Sequence, residues 1–193
     1  MPTPDRRTEL LDLAQIMIQE RGYNAFSFKD LATSVGIKTA SVHYHFPSKG
    51  ALGLQVMQRY LEQLEERLLA WRKLPHETAR LRAFVAGYRQ TQVKGAICLC
   101  GSMASDIQTL DQPIRDPIHR YLEESEAWVA QCIQTGLDSG EFHSGLPAQT
   151  LALSLLASLQ GALILSRAQS TDQLLEAVEQ SFFGSLGVLA DRP

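Results

Sequence analysis

Apolar residues recur at three- and four-residue intervals along most of the chain, which is the period of amphipathic helices. The first such stretch runs from Pro4 to Gly22, a longer one from Ser48 to about Trp71, and further ones cover residues 77–93 and 118–138. Pro113 and Pro117 are expected to lie in a loop before the last of these, since proline interrupts helices. No alternating pattern typical of strands is evident. The pattern predicts an all-α fold of about nine helices.

Two further helices are predicted at the end of the chain, from about Pro147 to Ala168 and from Thr171 to Leu189. The first is apolar nearly all round, so something outside its own domain should cover one face. Small residues on one side would permit close helix crossing. We expect the two helices to form a four-helix interface with a two-fold mate, the alternative being an internal helix of a monomer. The predicted interface residues are Ser154, Ala157, Ser158, Gly161, Leu174, Val178 and Phe182.

Two short helices joined by a tight turn are predicted between residues 27 and 49. Ser27 and Asp30 have the spacing of a capping box at the start of the first helix. Gly36 supplies the backbone freedom that a sharp turn between helices needs. The second helix runs from Lys38 to Phe46, and Ser48 is positioned to cap the long helix that follows.

The second short helix carries basic, hydroxylic and small side chains in its first turn. Such side chains can approach base edges and phosphates, and recognition helices present their first residues to the major groove. An ordinary helical corner with a solvated face is the alternative. The candidate DNA-binding residues are Lys38, Thr39, Ala40 and Ser41 in the first turn, with Tyr44, His45 and Lys49 as backbone contacts.

This stretch resembles the N-terminal DNA-binding domain of the TetR (tetracycline-repressor) family of bacterial regulators. Two positions depart from the family pattern: His43 stands where an aromatic residue is more usual, and Lys38 replaces the usual capping serine. The residues that carry the resemblance are Leu31, Ala32, Gly36, Ile37, Ala40, Ser41, Tyr44, His45, Phe46, Ser48, Lys49 and Leu52. The resemblance implies a dimer that binds a palindromic operator in double-stranded DNA and responds to a small-molecule effector.

Domain organisation follows from this reading: a helix-turn-helix head at residues 1–47 and a regulatory and dimerisation body at residues 48–193. The formal net charge of the chain is −3, distributed as +1 over residues 1–50 and −4 over the rest. A mildly basic end on an acidic body is consistent with a small DNA-binding head. Its weak charge predicts modest non-specific affinity for DNA.

Composition places the chain among soluble globular proteins, with 45% hydrophobic and 20% charged residues. The N-terminus is too polar for a secretory leader, and the most apolar run, Leu151 to Leu165, is too short to span a bilayer. The 3 cysteines make no disulfide framework. We therefore expect a cytoplasmic protein with no membrane partner.

A helix over residues 96–107 would place Cys98 in its first turn, where the helix dipole favours the thiolate. One hypothesis is that Cys98, or less favourably Cys100, reacts with an electrophile or oxidant and reports it to the head. The alternative is that both are small buried apolar residues. A short C-L-x-G-x-x-A segment resembles one in some TetR-type regulators. The predicted effector cavity is formed by Tyr88, Cys98, Cys100, Met103 and Trp128.

Metal, cofactor and catalytic sites are not indicated by the spacing of the possible ligands. His43 and His45 lie two residues apart, and the other histidines are scattered. We expect a ligand-responsive transcriptional regulator and not an enzyme, and we expect it to repress transcription. The alternatives are an all-α small-molecule-binding or redox-sensing module without DNA binding, and a thiol enzyme using Cys98.

Overall fold

A computed structural model describes residues 5–188 of the 193-residue chain. The described residues contain helices and no strand, which confirms the predicted all-α class. The helices are α1 (Arg6–Arg21), α2 (Phe28–Val35), α3 (Thr39–His45), α4 (Lys49–Trp71), α5 (Glu77–Val93), α6 (Leu99–Ser105), α7 (Gln112–Ser139), α8 (Ala148–Gln169) and α9 (Gln173–Ser185). Single 3₁₀ turns occur at Tyr23–Ala25 and Ile107–Thr109. The predicted helix ends at Pro4 and Leu189 lie outside the described residues.

Two predicted boundaries are wrong. α7 begins at Gln112, so Pro113 and Pro117 lie within the helix and not in a loop before it. Pro113 falls in the first turn, where a backbone N–H has no helical partner to lose. Pro117 removes one hydrogen bond from a helix of 28 residues, and buried Ile114 and Ile118 on either side of it anchor the helix. α6 begins only at Leu99, so it is shorter than predicted.

The described residues form two compact units. The first contains the residues up to Gln63 together with Leu99–Tyr121, and the second contains Leu64–Cys98 and the residues from Leu122 onward. α4 and α7 therefore each contribute residues to both units. The functional boundary at residue 47 stays a prediction.

In the first unit, α1 packs against α6 as well as against α2. The hydroxyl of Ser102, which is 1% exposed, donates a hydrogen bond of 2.7 Å to the carbonyl of Ile18. Asn24 Nδ2 donates to Thr109 Oγ1 at 2.9 Å. These contacts attach residues 99–121 to α1 and to the 3₁₀ turn that follows it, just before the predicted DNA-binding motif.

Helix α4 approaches its neighbours closely at Gly53. A Cβ at Gly53 would lie 2.7 Å from the Tyr23 ring and 3.3 Å from Ile114. Tyr23 and Ile114 are themselves buried, so neither can move aside easily. Glycine is needed here for space, since its backbone is ordinary helix.

The second unit has an aromatic cluster in its core. The Phe84 ring stacks on that of Trp128 with centroids 5.9 Å apart, and Trp71 and Tyr88 contact the same pair. α8 packs against α9, and α5 packs against both. Polar contacts join these helices: Gln160 donates to the Tyr88 hydroxyl at 3.3 Å, and Glu179 accepts from Arg89.

Helix α8 is unusually apolar for a surface element. It has 22 residues and a mean hydropathy of 1.6 over its most apolar window, of which 39% is buried. The run from Leu151 to Leu165 thus lies in a helix long enough to cross a membrane by length and composition, contrary to the prediction. A single such helix is weak evidence for membrane insertion, because core helices of soluble proteins have the same composition.

Alanine at two glycines should have opposite effects on stability. Gly53→Ala forces a Cβ against the Tyr23 ring and should destabilise the fold by about 1–3 kcal/mol. Gly87→Ala, in the open interior of α5 with nothing within 4 Å of the new Cβ, should stabilise it by up to about 1 kcal/mol. Urea denaturation followed by circular dichroism measures both. Equal shifts of the two midpoints would contradict the packing described at Gly53.

Candidate nucleic-acid interface

Helix α2 begins with a capping box, as predicted. The Asp30 amide donates to Ser27 Oγ at 3.3 Å, and the Ser27 amide donates to Asp30 Oδ2 at 2.7 Å. The hydrogen bonds from Ser27 lower the pKa of the Asp30 carboxyl, so the box is fully formed at neutral pH. The box fixes where α2 begins.

The turn after α2 depends on the backbone conformation of Gly36. Gly36 has φ 73° and ψ 35°, in the left-handed region that glycine adopts without strain. The Ile37 amide donates to the carbonyl of Ala32 at 2.9 Å and closes the end of the helix. A Cβ at Gly36 would meet nothing within 4 Å, so conformation and not space requires glycine here.

Helix α3 has one buried and one exposed face. Val42 within the helix and Phe46 directly after it are both 0% exposed. Tyr44 is 86% exposed on the opposite side. Of the other predicted contact residues, Lys38, Ala40 and Ser41 are exposed, and Thr39, His45 and Lys49 are half-buried. Lys38 stands at the start of the helix and its side chain forms no cap.

Lys49 is held inside the first unit, which the sequence pattern did not reveal. Its Nζ donates to the carbonyl of Phe26 at 2.6 Å and lies 4.5 Å and 4.7 Å from the ring centroids of Phe26 and Tyr23. Burial lowers the pKa of Lys49 from its usual value. The lysine therefore ties the start of α4 to the segment before α2. Aromatic residues at positions 23 and 26 were the available signal.

A second basic residue, Arg7 of α1, packs against the end of α3. The Arg7 guanidinium lies 5.6 Å from the centroid of the Phe46 ring and donates to Gln55 Oε1 at 2.6 Å. Arg7 is exposed, so the guanidinium lies on the surface of the unit, beside the end of α3. Arg7 and Lys38 are both exposed cations of the first unit.

Residues 10–56 match the family of bacterial regulatory proteins named for TetR, and residues 78–182 match the tetracyclin repressor-like C-terminal domain. The chain belongs to the TetR family. It is thus a DNA-binding transcriptional regulator, which confirms the prediction made from residues 27–52.

Relatives of this TetR-family protein match over most of their length. It is 27% identical over 186 residues to the HTH-type transcriptional repressor DhaR of Mycobacterium sp. strain GP1, covering 93% of each chain. It is 25% identical over 149 residues to the repressor KstR2 of Rhodococcus jostii, covering 75% of this chain and 71% of that one. A TetR transcriptional regulator from Legionella pneumophila superposes with a TM-score of 0.87 at 28% identity, over 96% of this chain and 100% of that one.

The predicted effector residues of the TetR-family protein are all buried. Tyr88 and Trp128 contact the same Phe84 ring in the second unit, which also contains Cys98. The other two predicted residues, Cys100 and Met103, belong to the first unit and are 0% exposed.

The position of Cys98 does not favour a thiol sensor. Cys98 directly precedes α6, so its predicted placement within the first turn of that helix is wrong. Its side chain is 2% exposed, and Cys100 Sγ lies 3.7 Å from the carbonyl of Ile118. An electrophile would reach either sulfur only after local opening. Within residues 5–188, no three His, Cys, Asp or Glu side chains are grouped so as to hold a metal ion.

Removal of the α2 cap should destabilise the head. Ser27→Ala removes the acceptor for the Asp30 amide and should lower the free energy of unfolding by about 1 kcal/mol. In Ser27→Ala the pKa of Asp30 should rise toward its ordinary value. In the wild type the pKa is lowered, so the stabilisation by the cap is present at neutral pH and is lost as the pH falls through the lowered pKa.

The matched control is Ser34→Ala, the same change at an exposed position of α2. Urea unfolding and NMR titration of the Asp30 carboxyl carbon measure the two effects. An unchanged Asp30 pKa in Ser27→Ala would show that the capping box does not form in solution.

Proposed function

We propose that this protein is a homodimeric transcriptional repressor of the cytoplasm, released from a palindromic operator by a small-molecule effector. The observation that supports it most directly is the exposed polar face of α3, held rigidly by the burial of Val42 and Phe46. The two relatives described above are named repressors.

The proposed DNA contacts divide by the chemistry of the side chains. Ser41 and Thr39 carry hydroxyls that can reach base edges, and Ala40 between them allows the helix to approach the groove closely. Lys38 and Tyr44, both exposed, are suited to phosphate contacts that set the register on DNA. His45 is proposed as a further contact to the DNA backbone. The side chain of Lys49 is held by Phe26 and Tyr23, so we propose that Lys49 contributes through its main-chain amide and this packing.

The proposed dimer interface lies on α8 and α9. A groove of about 600 Å³ between the two helices is lined by Ser154, Ser158 and Gly161 and by all other predicted interface residues except Ala157. Leu165 in the same groove is 50% exposed, and a Cβ at Gly161 would meet nothing within 4 Å. A second copy of these helices would bury this apolar surface. The other predicted interface residues are Ala157, Leu174, Val178 and Phe182.

The effector is proposed to release the operator by shifting the protein between two conformations. An effector that binds the second unit more tightly in one conformation favours that conformation, and only its differential affinity can do so. Because α4 and α7 continue from one unit into the other, a change in either helix is shared by both units. The alternative function, a small-molecule-binding module without DNA binding, lacks a use for the exposed polar face of α3.

The DNA contact is tested by truncating Tyr44. Selection from a random-sequence duplex library with the wild-type protein defines the operator. Tyr44→Ala should weaken binding to it by about tenfold or more, the cost of one good contact in each of two subunits. Since Tyr44 is 86% exposed, the stability of the protein should not change. Fluorescence anisotropy with labelled operator gives both affinities.

The control for Tyr44 is Val93→Ala, which truncates a side chain that is 88% exposed in the second unit. It should bind the operator with wild-type affinity. Enrichment of no sequence by the wild-type protein would favour the module without DNA binding, and wild-type affinity of Tyr44→Ala would contradict the proposed placement of α3.

The dimer is tested by placing a charge in the α8–α9 groove. Ser158→Glu would bury an unpaired carboxylate in each subunit, which costs several kcal/mol. The mass from light scattering should fall from twice the 21.4 kDa chain mass to that of one chain. Gln134→Glu adds the same charge at an exposed position of α7, and this variant should remain dimeric. A dimeric Ser158→Glu protein would exclude this interface.

A further inference from the structure

A cavity of about 700 Å³ lies in the second unit, away from the α8–α9 groove. It is open to solvent on one side and is lined by the end of α4 with the residue that follows it, the start of α5 and the middle of α7. Its lining includes Leu68, Arg72, Glu77, Arg80, Trp128 and Cys132. Only Trp128 among these belongs to the effector residues predicted from the sequence. A cavity of this size holds a small organic molecule.

Glu77 brings a buried carboxylate to this cavity. The residue is 6% exposed, and its Oε1 accepts a hydrogen bond from Arg80. Its Oε2 is buried and accepts no hydrogen bond of ordinary geometry within residues 5–188, and the donor beside the carboxylate is the weak one of the Cys132 thiol. An unsatisfied buried carboxylate oxygen is costly, and nearly all such atoms in proteins have a partner. The oxygen is therefore available to a ligand that donates a hydrogen bond.

The surroundings of Glu77 exclude an anionic ligand at this oxygen. The amides of Glu77 and Thr78, at the start of α5, already donate to the Glu141 carboxylate at 3.1 Å and 2.7 Å. A protein carboxylate therefore already occupies the anion-binding start of α5. Burial and the neighbouring Glu77 carboxylate raise the pKa of Cys132 to about 12, so its sulfur is a neutral thiol and a weak donor.

Charge balance in the cavity also disfavours a cationic ligand. Arg72 and Arg80 line it together with Glu77 and Glu124, so the opposite charges are equal in number. Arg80 is held close by its hydrogen bonds to Glu77 and to the carbonyl of Leu74, the latter at 3.1 Å. A further cation would lie against this guanidinium. The donor is therefore expected on a neutral molecule.

The remaining wall of the cavity is apolar and rigid. Leu68, Ala127 and Trp128 contribute hydrocarbon and aromatic surface. Trp128 is fixed by its stacking on Phe84 and by the Trp71 ring, whose centroid is 5.8 Å away. A hydrocarbon body placed against this wall would leave water at a surface that does not need to rearrange.

We propose that this cavity binds a neutral hydroxylated apolar molecule, an alcohol whose O–H donates to Glu77 Oε2 and whose hydrocarbon body packs on Trp128. The identification of this molecule as the effector rests on the proposed function above, whereas the binding itself does not. The proposal moves the ligand site away from Tyr88 and Cys98 toward residues that the sequence analysis did not select.

Menthol and menthone form a matched pair of probes, since they share one carbon skeleton and only menthol donates a hydrogen bond. Calorimetry on the full-length protein without DNA should show menthol binding at least about tenfold more tightly than menthone, because hydrogen bonds to charged groups are strong. In Glu77→Gln this preference should fall close to onefold. Glu123→Gln, the same change at an exposed position of α7 outside the cavity, should keep it.

Several results would overturn the proposal. These are equal or tighter binding of menthone, tighter binding of menthylamine, an unchanged preference in Glu77→Gln with native circular dichroism, or no binding of either probe up to its solubility limit. Ala127→Trp, which fills the cavity from an exposed position, should abolish menthol binding. Operator binding is measured separately: menthol that binds without releasing DNA would refute only its role as effector.

Discussion

The burial of Val42 and Phe46 is the interaction on which the proposed DNA-binding surface depends. A helix of seven residues such as α3 is not stable by itself, so its position must come from packing. Both side chains are fully buried in the first unit, and because Ser41 and Tyr44 point away from them, they lie on the exposed side. The capping box at Ser27 fixes where α2 begins, and the left-handed conformation of Gly36 makes the turn from α2 toward α3. The exposed surface proposed for DNA recognition is thus a consequence of what the helix buries.

The second unit poses a different physical problem, because it has more apolar surface than it can bury. α8 leaves Leu153, Ile164 and Leu165 about half exposed within an apolar sequence. Glu77 poses the converse problem, since one oxygen of a buried carboxylate accepts no hydrogen bond of ordinary geometry within residues 5–188. A second subunit would resolve the first and a hydrogen-bond-donating ligand the second. Dimerisation and ligand binding are proposed from these two imbalances.

Local features of the fold could be predicted from the sequence with good accuracy. The caps at Ser27 and Ser48, the turn at Gly36 and the bounds of α5 depend on residues a few positions apart, and the structure has all of them. The placement of Pro117 was wrong because a long helix with buried residues on both sides tolerates a lost hydrogen bond. Propensity alone does not include that compensation.

Features set by long-range contacts could not be predicted in the same way. Lys49 was selected for phosphate, yet its ammonium is held by the Phe26 carbonyl, 23 residues away in sequence. The cavity at Glu77 brings together residues of α4, α5 and α7. A glutamate at the start of a helix is usually exposed, so nothing in the local sequence indicates that Glu77 is buried. The short buried segment before α6 likewise moved Cys98 out of the helix in which it was expected.

The central claim is that the exposed face of α3 lies on DNA, and site-specific photocrosslinking tests it most directly. A benzophenone side chain placed at position 44 should crosslink to the selected operator on irradiation, whereas one at position 93 should not, although Val93 is equally exposed. Operator bound with full affinity but crosslinked from position 93, or from neither position, would contradict the account.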